Sequence, residues 1–208
     1  MFAFNGFLYL ITDRDISGLS HTRTVRRAIA AGIRMIQLRE KQMSGKDIYR
    51  EALSIRSLTL KNKTTFIIND YVDIAMAVNA DGVHLGQDDM PVEEARRILG
   101  VKKLIGVSTH SLKQALAAQD AGADYIGFGP VSYTATKDAG RPRGLNALRK
   151  IKSRVKIPVV AIGGITPGNA GDVLASGADA VAVISGILRG DIRKNTEKYL
   201  SAVRNRTG

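Results

Sequence analysis

The sequence predicts a (β/α)8 barrel, an α/β fold in which helices surround a closed parallel sheet, as a single compact domain over residues 1–208. Short runs suited to strands recur eight times, and segments with helical periodicity separate them. The 208 residues, 44% of them hydrophobic, are enough for one sizeable core. Eight units in this length lie near the lower limit of the fold, so most loops must be short.

Each predicted strand is a short apolar run rich in residues that favour strands. The runs are Phe7–Thr12, Met35–Arg39, Thr65–Asn69, Gly82–Leu85, Leu104–Val107, Tyr125–Gly129, Val159–Ile162 and Ala180–Ile184. Helical periodicity is clearest in three of the connections, Gly45–Leu60, Ser111–Ala121 and Gly168–Ser176. Strand alternates with helix throughout, which is typical of parallel βα units.

A small internal repeat supports this alternation. Ala80-Asp81-Gly82, Gly122-Ala123-Asp124 and Gly177-Ala178-Asp179 each stand between a helix and the next strand, and Ala31-Gly32 does the same earlier. The glycine of each repeat can take the left-handed conformation that ends a helix. The connection from Pro130 to Arg143 is longer than the others, and a long loop in a compact chain is more often functional than accidental.

Composition excludes some classes of protein and leaves others open. The apolar start of the chain has no basic region before it, so we interpret it as a strand rather than a signal peptide; no apolar stretch is long enough to span a membrane, and we expect a cytoplasmic protein. The absence of cysteine excludes disulfides and thiolate metal sites. The 31 Lys and Arg against 19 Asp and Glu give a net charge of +12, which suits either a nucleic-acid binder or an enzyme for anionic substrates.

Glycine-bearing turns follow the last two predicted strands. The seventh runs into Ile162-Gly163-Gly164-Ile165-Thr166, and the eighth reaches Ile184 and then Ser185-Gly186. Glycine lets a ligand approach the backbone, and the free N–H groups at the following helix start favour anions. In a (β/α)8 barrel this position commonly binds phosphate, so the two turns predict a phosphate cup.

Cationic side chains follow the second predicted strand. Gln37, Arg39 and Lys41 share one face because side chains alternate along a strand, and Ile36 and Leu38 share the other. If the apolar pair packs against the helices, the polar set points into the barrel mouth, where two unpaired cations are costly unless an anion binds them. We favour an anion site; the alternative is that Glu40 and other carboxylates pair with the two cations on the surface.

Carboxylates follow the third and fourth strands, at Asn69-Asp70 and Asp88-Asp89. Mg²⁺ prefers oxygen ligands and typically takes one or two carboxylates together with water and phosphate oxygens. Asp70 and Asp89 therefore predict a Mg²⁺–diphosphate site. Aspartates before a proline-led helix can instead cap it, and we assign that role to Asp88, before Pro91.

The fifth and sixth strands lead into further polar residues. Ser108 follows the fifth strand, and we place the nearby His110 behind the reacting groups, since a lone histidine is more often structural. Thr134, Thr136 and Lys137, in the long connection, suit a cluster of phosphate oxygens, although any basic loop contains such residues. A monophosphate cup facing cations and a metal site implies transfer of an alkyl group from a diphosphate to a nucleophile.

In sequence order, seven motifs resemble the thiamine phosphate synthases over essentially the whole chain. They are Gln37-Leu38-Arg39-Glu40-Lys41, Asn69-Asp70, His84-Leu85-Gly86-Gln87-Asp88-Asp89, Gly106-Val107-Ser108, Thr134-Ala135-Thr136-Lys137, Gly163-Gly164-Ile165-Thr166 and Ile184-Ser185. The resemblance implies the barrel fold and the joining of 4-amino-5-hydroxymethyl-2-methylpyrimidine diphosphate to 4-methyl-5-(2-phosphoethyl)thiazole, with release of diphosphate.

The resemblance also implies roles for individual residues. Those that would hold the pyrimidine diphosphate are Gln37, Arg39, Lys41, Asn69, Ser108 and Lys137, of which Arg39, Lys41, Ser108 and Lys137 are the expected catalytic residues. Asp70 and Asp89 would ligate Mg²⁺. Those that would bind the thiazole phosphate are Thr134, Thr136, Gly164, Ile184 and Ser185. The chain departs from the family pattern at Ser132-Tyr133, before the first threonine, and between Lys137 and Gly144, which looks one residue short.

Two other functions remain as alternatives. A thiazole tautomerase, a relative with the same barrel, would use a histidine such as His110 for proton transfer and no Mg²⁺. A basic nucleic-acid-binding protein would need aromatic platforms, whereas aromatic residues make up only 5% of this chain and tryptophan is absent. We therefore expect small-molecule substrates, with no nucleic-acid or membrane partner; the sequence does not predict an oligomeric state.

Overall fold

A computed structural model describes residues 8–134 and 140–204. Within them, eight parallel strands close into a barrel in sequence order, and the first strand pairs with the last. The strands are β1 (Leu8–Ile11), β2 (Met35–Leu38), β3 (Thr65–Asn69), β4 (Gly82–Leu85), β5 (Leu104–Thr109), β6 (Tyr125–Phe128), β7 (Val159–Ile162) and β8 (Ala180–Val183). The predicted fold class and all eight strands are confirmed; β5 runs two residues further than predicted, and Phe7 lies outside the described residues.

Helices connect the strands on the outside of the barrel. They are α1 (Arg14–Ser17), α2 (His21–Ala30), α3 (Gly45–Lys61), α4 (Val72–Ala77), α5 (Val92–Leu99), α6 (Leu112–Asp120), α7 (Gly144–Lys152), α8 (Ala170–Ala175), α9 (Ser185–Leu188) and α10 (Ile192–Arg204). The predicted helix at Gly168–Ser176 is shorter, because Thr166 and Asn169 bond each other's backbone N–H groups in a turn that precedes α8. No helix in the described ranges is long and apolar enough to cross a membrane.

Alternation along the strands divides the apolar residues into two cores. Outward-facing side chains such as Ile36 and Leu38 pack in the large cluster between sheet and helices, as predicted. Inward-facing residues form a smaller cluster inside the barrel, around Tyr9, Ile67 and Tyr125. Gln37 faces the same interior and is buried. The orientation of β2 therefore directs its polar residues into the barrel, where the site is built.

The repeated aspartates close the amino-terminal end of the barrel. Each carboxylate accepts a hydrogen bond from the backbone N–H of a neighbouring strand and pairs with a cation on the helix that precedes that strand. The sets are Asp81 with Phe66 and Arg56, Asp124 with Ile105 and Arg96, and Asp179 with Val159 and Lys152, with cation–carboxylate distances of 2.9, 2.6 and 2.6 Å. A charge-assisted hydrogen bond of this kind joins helix, strand and turn at three points around the barrel.

The predicted glycine conformation holds at three of the four turns. Gly32, Gly122 and Gly177 have φ of 105°, 90° and 102°. The prediction is wrong for Gly82, which is the first residue of β4; the left-handed residue after α4 is Asn79, with φ of 52°. Gly82 is needed for space, since a Cβ there would overlap the backbone of Leu104.

Candidate active site

The carboxyl ends of the strands surround two adjoining cavities. The outer cavity lies over β7 and β8 and is bordered by their glycine turns, and the inner cavity descends into the barrel beside Gln37, Arg39 and Asn69. Ser108 and Ile162 border both. Active sites of (β/α)8 barrels lie at this end, so the two cavities together are the candidate site.

The outer cavity contains the predicted phosphate cup. Gly163, Gly164, Ile184 and Ser185 all border it, and α9 begins at Ser185. Gly164 has φ of 66°, and a Cβ there would overlap the backbone carbonyl of Tyr133, so the turn can approach the long connection only with glycine. The structure thus brings together backbone groups that sequence reasoning assigned to one anion site.

The connection from Pro130 contributes part of the outer wall. Thr134 borders the cavity, and Ser132 N–H donates to the Gly163 carbonyl at 3.0 Å. The Ser132-Tyr133 departure thus lies directly against the cup. Thr136 and Lys137 lie outside the described residues, so their predicted roles remain predictions.

Arg39 borders the inner cavity, and Lys41 follows it at the same end of β2; we call these two residues the cationic rim. Both cations are paired with carboxylates, as the alternative interpretation held. Arg39 Nη1 lies 3.4 Å from Asp13 Oδ2, and Lys41 Nζ donates to Asp70 Oδ2 at 2.5 Å. These carboxylates come from the loops that follow β1 and β3, which begin at the same end of the barrel as the loop after β2. Glu40 does not form these pairs; it faces His21 instead.

Asp70 lies between two charged neighbours of opposite sign. Burial raises the pKa of its carboxyl; the hydrogen bond from Lys41 opposes that rise, and the adjacent Asp89 carboxylate adds to it. Asp70 also has φ of 64°, a left-handed conformation uncommon outside glycine, with its N–H donating to the His84 carbonyl at 2.9 Å. The ends of β3 and β4 therefore hold two carboxylates close enough to repel each other.

This donor set fits Mg²⁺. The carboxylates of Asp70 and Asp89 are hard oxygen ligands, and their mutual repulsion would be relieved by a divalent cation. Among the residues the structure describes, no group of three or more His, Cys, Asp and Glu side chains gathers as a metal site. Two carboxylates agree with a Mg²⁺ ion that completes its shell from water and substrate phosphate oxygens.

The predicted capping role of Asp88 is wrong. Pro91 is the N-cap residue of α5, and no side chain caps the helix there. Proline has no side-chain acceptor, and its fixed φ alone suits the helix start. Asp89 Oδ2 instead accepts the Gly86 N–H at 2.6 Å, which fixes the β4 turn.

A chain of hydrogen bonds crosses the floor of the inner cavity, and sequence reasoning missed most of it. Gln37 Nε2 donates to the Tyr9 hydroxyl at 2.8 Å, Tyr9 and Tyr125 hydroxyls lie 3.1 Å apart, and Tyr125 lies 3.1 Å from His84 Nδ1. His84 Nε2 then lies 2.9 Å from Ser108 Oγ. The sequence did contain one signal for this chain. His84 is a polar residue between the apolar Val83 and Leu85, which indicates a polar side chain inside the barrel.

Burial controls the protonation of this chain. It lowers the pKa of His84 to about 4, against a smaller opposing effect of the Asp89 carboxylate, and it raises the pKa of both tyrosines well above the ordinary value. At neutral pH the floor is therefore uncharged. Gly106 makes room for it, since a Cβ there would overlap the rings of Tyr125 and His84.

The remaining predicted residues also reach the site. Asn69 borders the inner cavity. His110 borders the outer cavity directly rather than standing behind it, with Nδ1 2.8 Å from the Gly129 carbonyl. The inner cavity is thus bordered by neutral polar groups, by apolar side chains such as Ile11 and Val160, and by the cation of Arg39.

Fold and site together define a (β/α)8-barrel enzyme that works at the carboxyl ends of its strands. The family model described as "Thiamine monophosphate synthase" matches residues 8–187. The chain belongs to the thiamine monophosphate synthase family and is a transferase.

Individual relatives agree with this assignment. The chain is 48% identical over 198 residues to the thiamine-phosphate synthase of Clostridium novyi, covering 94% of this chain and 97% of that protein. It is 50% identical over 186 residues to that of Chloroflexus aurantiacus, covering 88% and 86%. The solved structure of the thiamine phosphate pyrophosphorylase from Pyrococcus furiosus superposes with a TM-score of 0.90 at 44% identity, covering 97% of each chain.

Proposed function

We propose that this enzyme joins 4-amino-5-hydroxymethyl-2-methylpyrimidine diphosphate to 4-methyl-5-(2-phosphoethyl)thiazole, giving thiamine phosphate and diphosphate, with Mg²⁺ as cofactor. The observation that carries the proposal is the pairing of two unlike anion sites across one cavity system. Glycine turns line one side, while Arg39, Lys41, Asp70 and Asp89 lie at the other. A monophosphate suits the first and a metal-bound diphosphate the second.

The pyrimidine ring would lie in the inner cavity, below the cationic rim. Gln37, Asn69 and Ser108 border it and offer hydrogen bonds to a planar amine-bearing ring. The uncharged floor of Tyr9, Tyr125 and His84 avoids placing a competing cation under the ring. The diphosphate would then reach Arg39 and Lys41, joined by Lys137 from the long connection.

The reaction divides into two bond changes. The bond between the methylene carbon and diphosphate breaks with both electrons leaving on oxygen, and the aminopyrimidine delocalises the cation. The lone pair of the thiazole nitrogen then forms the new carbon–nitrogen bond. Cations that face the growing negative charge lower this barrier most when they are fixed before the reaction begins. Mg²⁺, held by Asp70 and Asp89, would neutralise charge on the diphosphate oxygens.

The thiazole would enter from the outer cavity with its phosphate in the cup. Backbone N–H groups around Gly164 and Ser185, with the Thr134 and Thr136 hydroxyls, would bind that phosphate. Ser108 borders both cavities, so it stands where the two substrates meet. The tautomerase alternative needs neither the paired carboxylates nor the rim cations, and those groups favour the synthase.

An assay with both precursors tests the proposal. Purified protein is incubated with the pyrimidine diphosphate and the thiazole phosphate, with Mg²⁺ or with a chelator, and the products are separated by chromatography. We expect thiamine phosphate and diphosphate to form in equal amounts in the sample with Mg²⁺, and neither product to form in the sample with the chelator. Turnover of a thiazole carboxylate phosphate to its tautomer, without thiamine phosphate formation, would establish the tautomerase instead.

A further inference from the structure

Behind the cationic rim lies a buried polar group that the proposed reaction does not use. His21, the first residue of α2, is 1% exposed, and both its ring nitrogens have partners. Nδ1 lies 2.8 Å from Thr12 Oγ1, and Nε2 lies 3.0 Å from Glu40 Oε2. We call Thr12, His21 and Glu40 the positioning cluster.

Apart from a long contact of Arg14 with Glu40, the other side-chain bonds of this cluster end on the loop that carries the rim cations. Glu40 Oε1 accepts the backbone N–H groups of Lys41 and Gln42 at 2.7 and 2.8 Å. Thr12 Oγ1 accepts the N–H of Arg39 at 3.2 Å. Three backbone N–H groups within four consecutive residues are therefore held by two side chains that do not themselves face the cavities.

The hydrogen bonds are consistent with one another. With its proton on Nε2, His21 donates to Glu40, and its Nδ1 accepts from the Thr12 hydroxyl, which in turn accepts from Arg39 N–H. Although burial opposes ionisation, hydrogen bonds from Gln42, His21 and Lys41 hold the pKa of Glu40 below its usual range. Arg14 Nη1, 3.9 Å from Glu40 Oε2, adds a weak outer contact.

A buried ionised carboxylate is a poor source of stability, because desolvation cancels most of the attraction it gains. Its value here is geometric. Arg39 and Lys41 have long flexible side chains, and a fixed backbone is what directs both toward one anion. Glu40, between them in sequence, fixes that backbone from the side opposite the cavity.

We propose that Thr12, His21 and Glu40 are positioning residues that set the backbone of residues 39–42 so that Arg39 and Lys41 together bind the diphosphate group. The inference rests on the proposed function for its ligand. In this proposal Glu40 keeps the backbone of the rim rigid and does not contact substrate or metal.

Glu51 provides a matched control. Its carboxylate also binds α2, accepting the Thr22 N–H at 2.9 Å and the Thr22 hydroxyl at 2.7 Å, and it is partly buried, whereas Glu40 is buried. It lies on α3 and binds the neighbour of His21, not the loop of residues 39–42. Loss of Glu51 therefore removes comparable bonds to α2 without releasing the rim.

Calorimetry with inorganic diphosphate and Mg²⁺, on the full chain, tests the proposal without requiring turnover. We expect Glu40→Ala to weaken diphosphate binding about 10- to 100-fold, the range for residues that orient a binding group. Glu40→Gln should fall between Glu40→Ala and the unsubstituted enzyme, since one amide oxygen can still accept from Lys41 and Gln42. Glu51→Ala should bind diphosphate normally even if its melting temperature falls.

Steady-state kinetics adds a readout that lost stability alone would not change. Glu40→Ala should raise KM for the pyrimidine diphosphate and leave KM for the thiazole phosphate unchanged. If Glu40→Ala does not fold, Thr12→Val keeps the side-chain shape, releases Arg39 N–H, and should weaken diphosphate binding in the same direction. Unchanged diphosphate affinity in Thr12→Val and Glu40→Gln, or equal losses in Glu40 and Glu51 variants, would overturn the proposal. Failure of the proposed function would appear differently, as an unsubstituted enzyme that forms no thiamine phosphate.

Discussion

Lys41 Nζ and Asp70 Oδ2 lie 2.5 Å apart at the neighbouring ends of β2 and β3, so a cation predicted to bind substrate is paired with a carboxylate predicted to bind metal. The two roles are compatible if the pair separates when Mg²⁺ and the diphosphate substrate bind, so that Asp70 binds Mg²⁺ and Lys41 binds diphosphate. Lys41 is 53% exposed, which leaves it free to swing. Asp70 is only 17% exposed, so the pair can separate only if Mg²⁺ replaces the Lys41 ammonium at the Asp70 carboxylate.

Removing either carboxylate should weaken the metal response. We expect Asp70→Asn and Asp89→Asn each to lower turnover at least about 10-fold, which is the lower end of the losses seen when groups around a bound metal are changed. Each variant should also need a higher Mg²⁺ concentration for half-maximal rate. Asp88→Asn is the control, because Asp88 is exposed and does not cap α5. Initial rates against Mg²⁺ concentration measure all three. Equal Mg²⁺ responses in the three variants would show that the metal assignment is wrong.

Arg39→Lys should be damaging although it keeps the charge. An ammonium cannot reproduce the planar guanidinium fork, and loss of one hydrogen bond to a charged group corresponds to about a 10-fold lower kcat/KM for the pyrimidine diphosphate. Arg50→Lys, on the outer face of α3 at 64% exposure, is the control and should have no effect. Matching kinetics for the two variants would remove Arg39 from the diphosphate site.

Stability should fall in mild acid because of His84. Its pKa is lowered to about 4 in the folded protein from an ordinary 6.5, so between these values the unfolded chain binds more protons. The stabilising contribution is complete above pH 6.5 and is lost as the pH falls toward 4. Between pH 7 and 5 the loss is about 2 kcal/mol. Urea unfolding at both pH values measures it, and His84→Gln should have a correspondingly flatter dependence. An unchanged dependence in His84→Gln would contradict this account of the barrel floor.

The aspartates at the opposite end of the barrel should affect stability alone. Arg56 beside Asp81 is 11% exposed, whereas Lys152 beside Asp179 is 34% exposed, so Asp81→Ala leaves the more deeply buried cation unpaired. We expect losses of about 3 kcal/mol for Asp81→Ala and about 1 kcal/mol for Asp179→Ala, with unchanged kcat in both. Denaturant melts and assays of the same samples check this; equal losses, or a lowered kcat, would contradict it.

The strands and the positions of the polar residues at their ends were predictable because both follow from alternation. Once β2 is a strand with Ile36 and Leu38 outside, Gln37 must face inward, and it does. The glycine turn after β7 was predictable because Gly163 and Gly164 adopt left-handed conformations that glycine takes readily. After β8, by contrast, Gly186 lies within α9.

Pairing between distant loops was not predictable in the same way. Two ion pairs, Arg39 with Asp13 and Lys41 with Asp70, form only because of the path that each loop takes after its strand. No local sequence pattern predicts that path. The chain from Gln37 through Tyr9, Tyr125 and His84 is spread over four strands, each contributing one inward residue. The cap of α5 was misjudged because Pro91 can begin a helix without a side-chain acceptor.

The most direct test of the account is a crystal structure of the enzyme with thiamine phosphate, diphosphate and Mg²⁺ bound. We predict the thiamine phosphate group on the backbone of Gly164 and Ser185, and diphosphate at Arg39 and Lys41 with Mg²⁺ between it and the Asp70 and Asp89 carboxylates. Diphosphate bound in the glycine cup, or a metal held away from both carboxylates, would contradict the account.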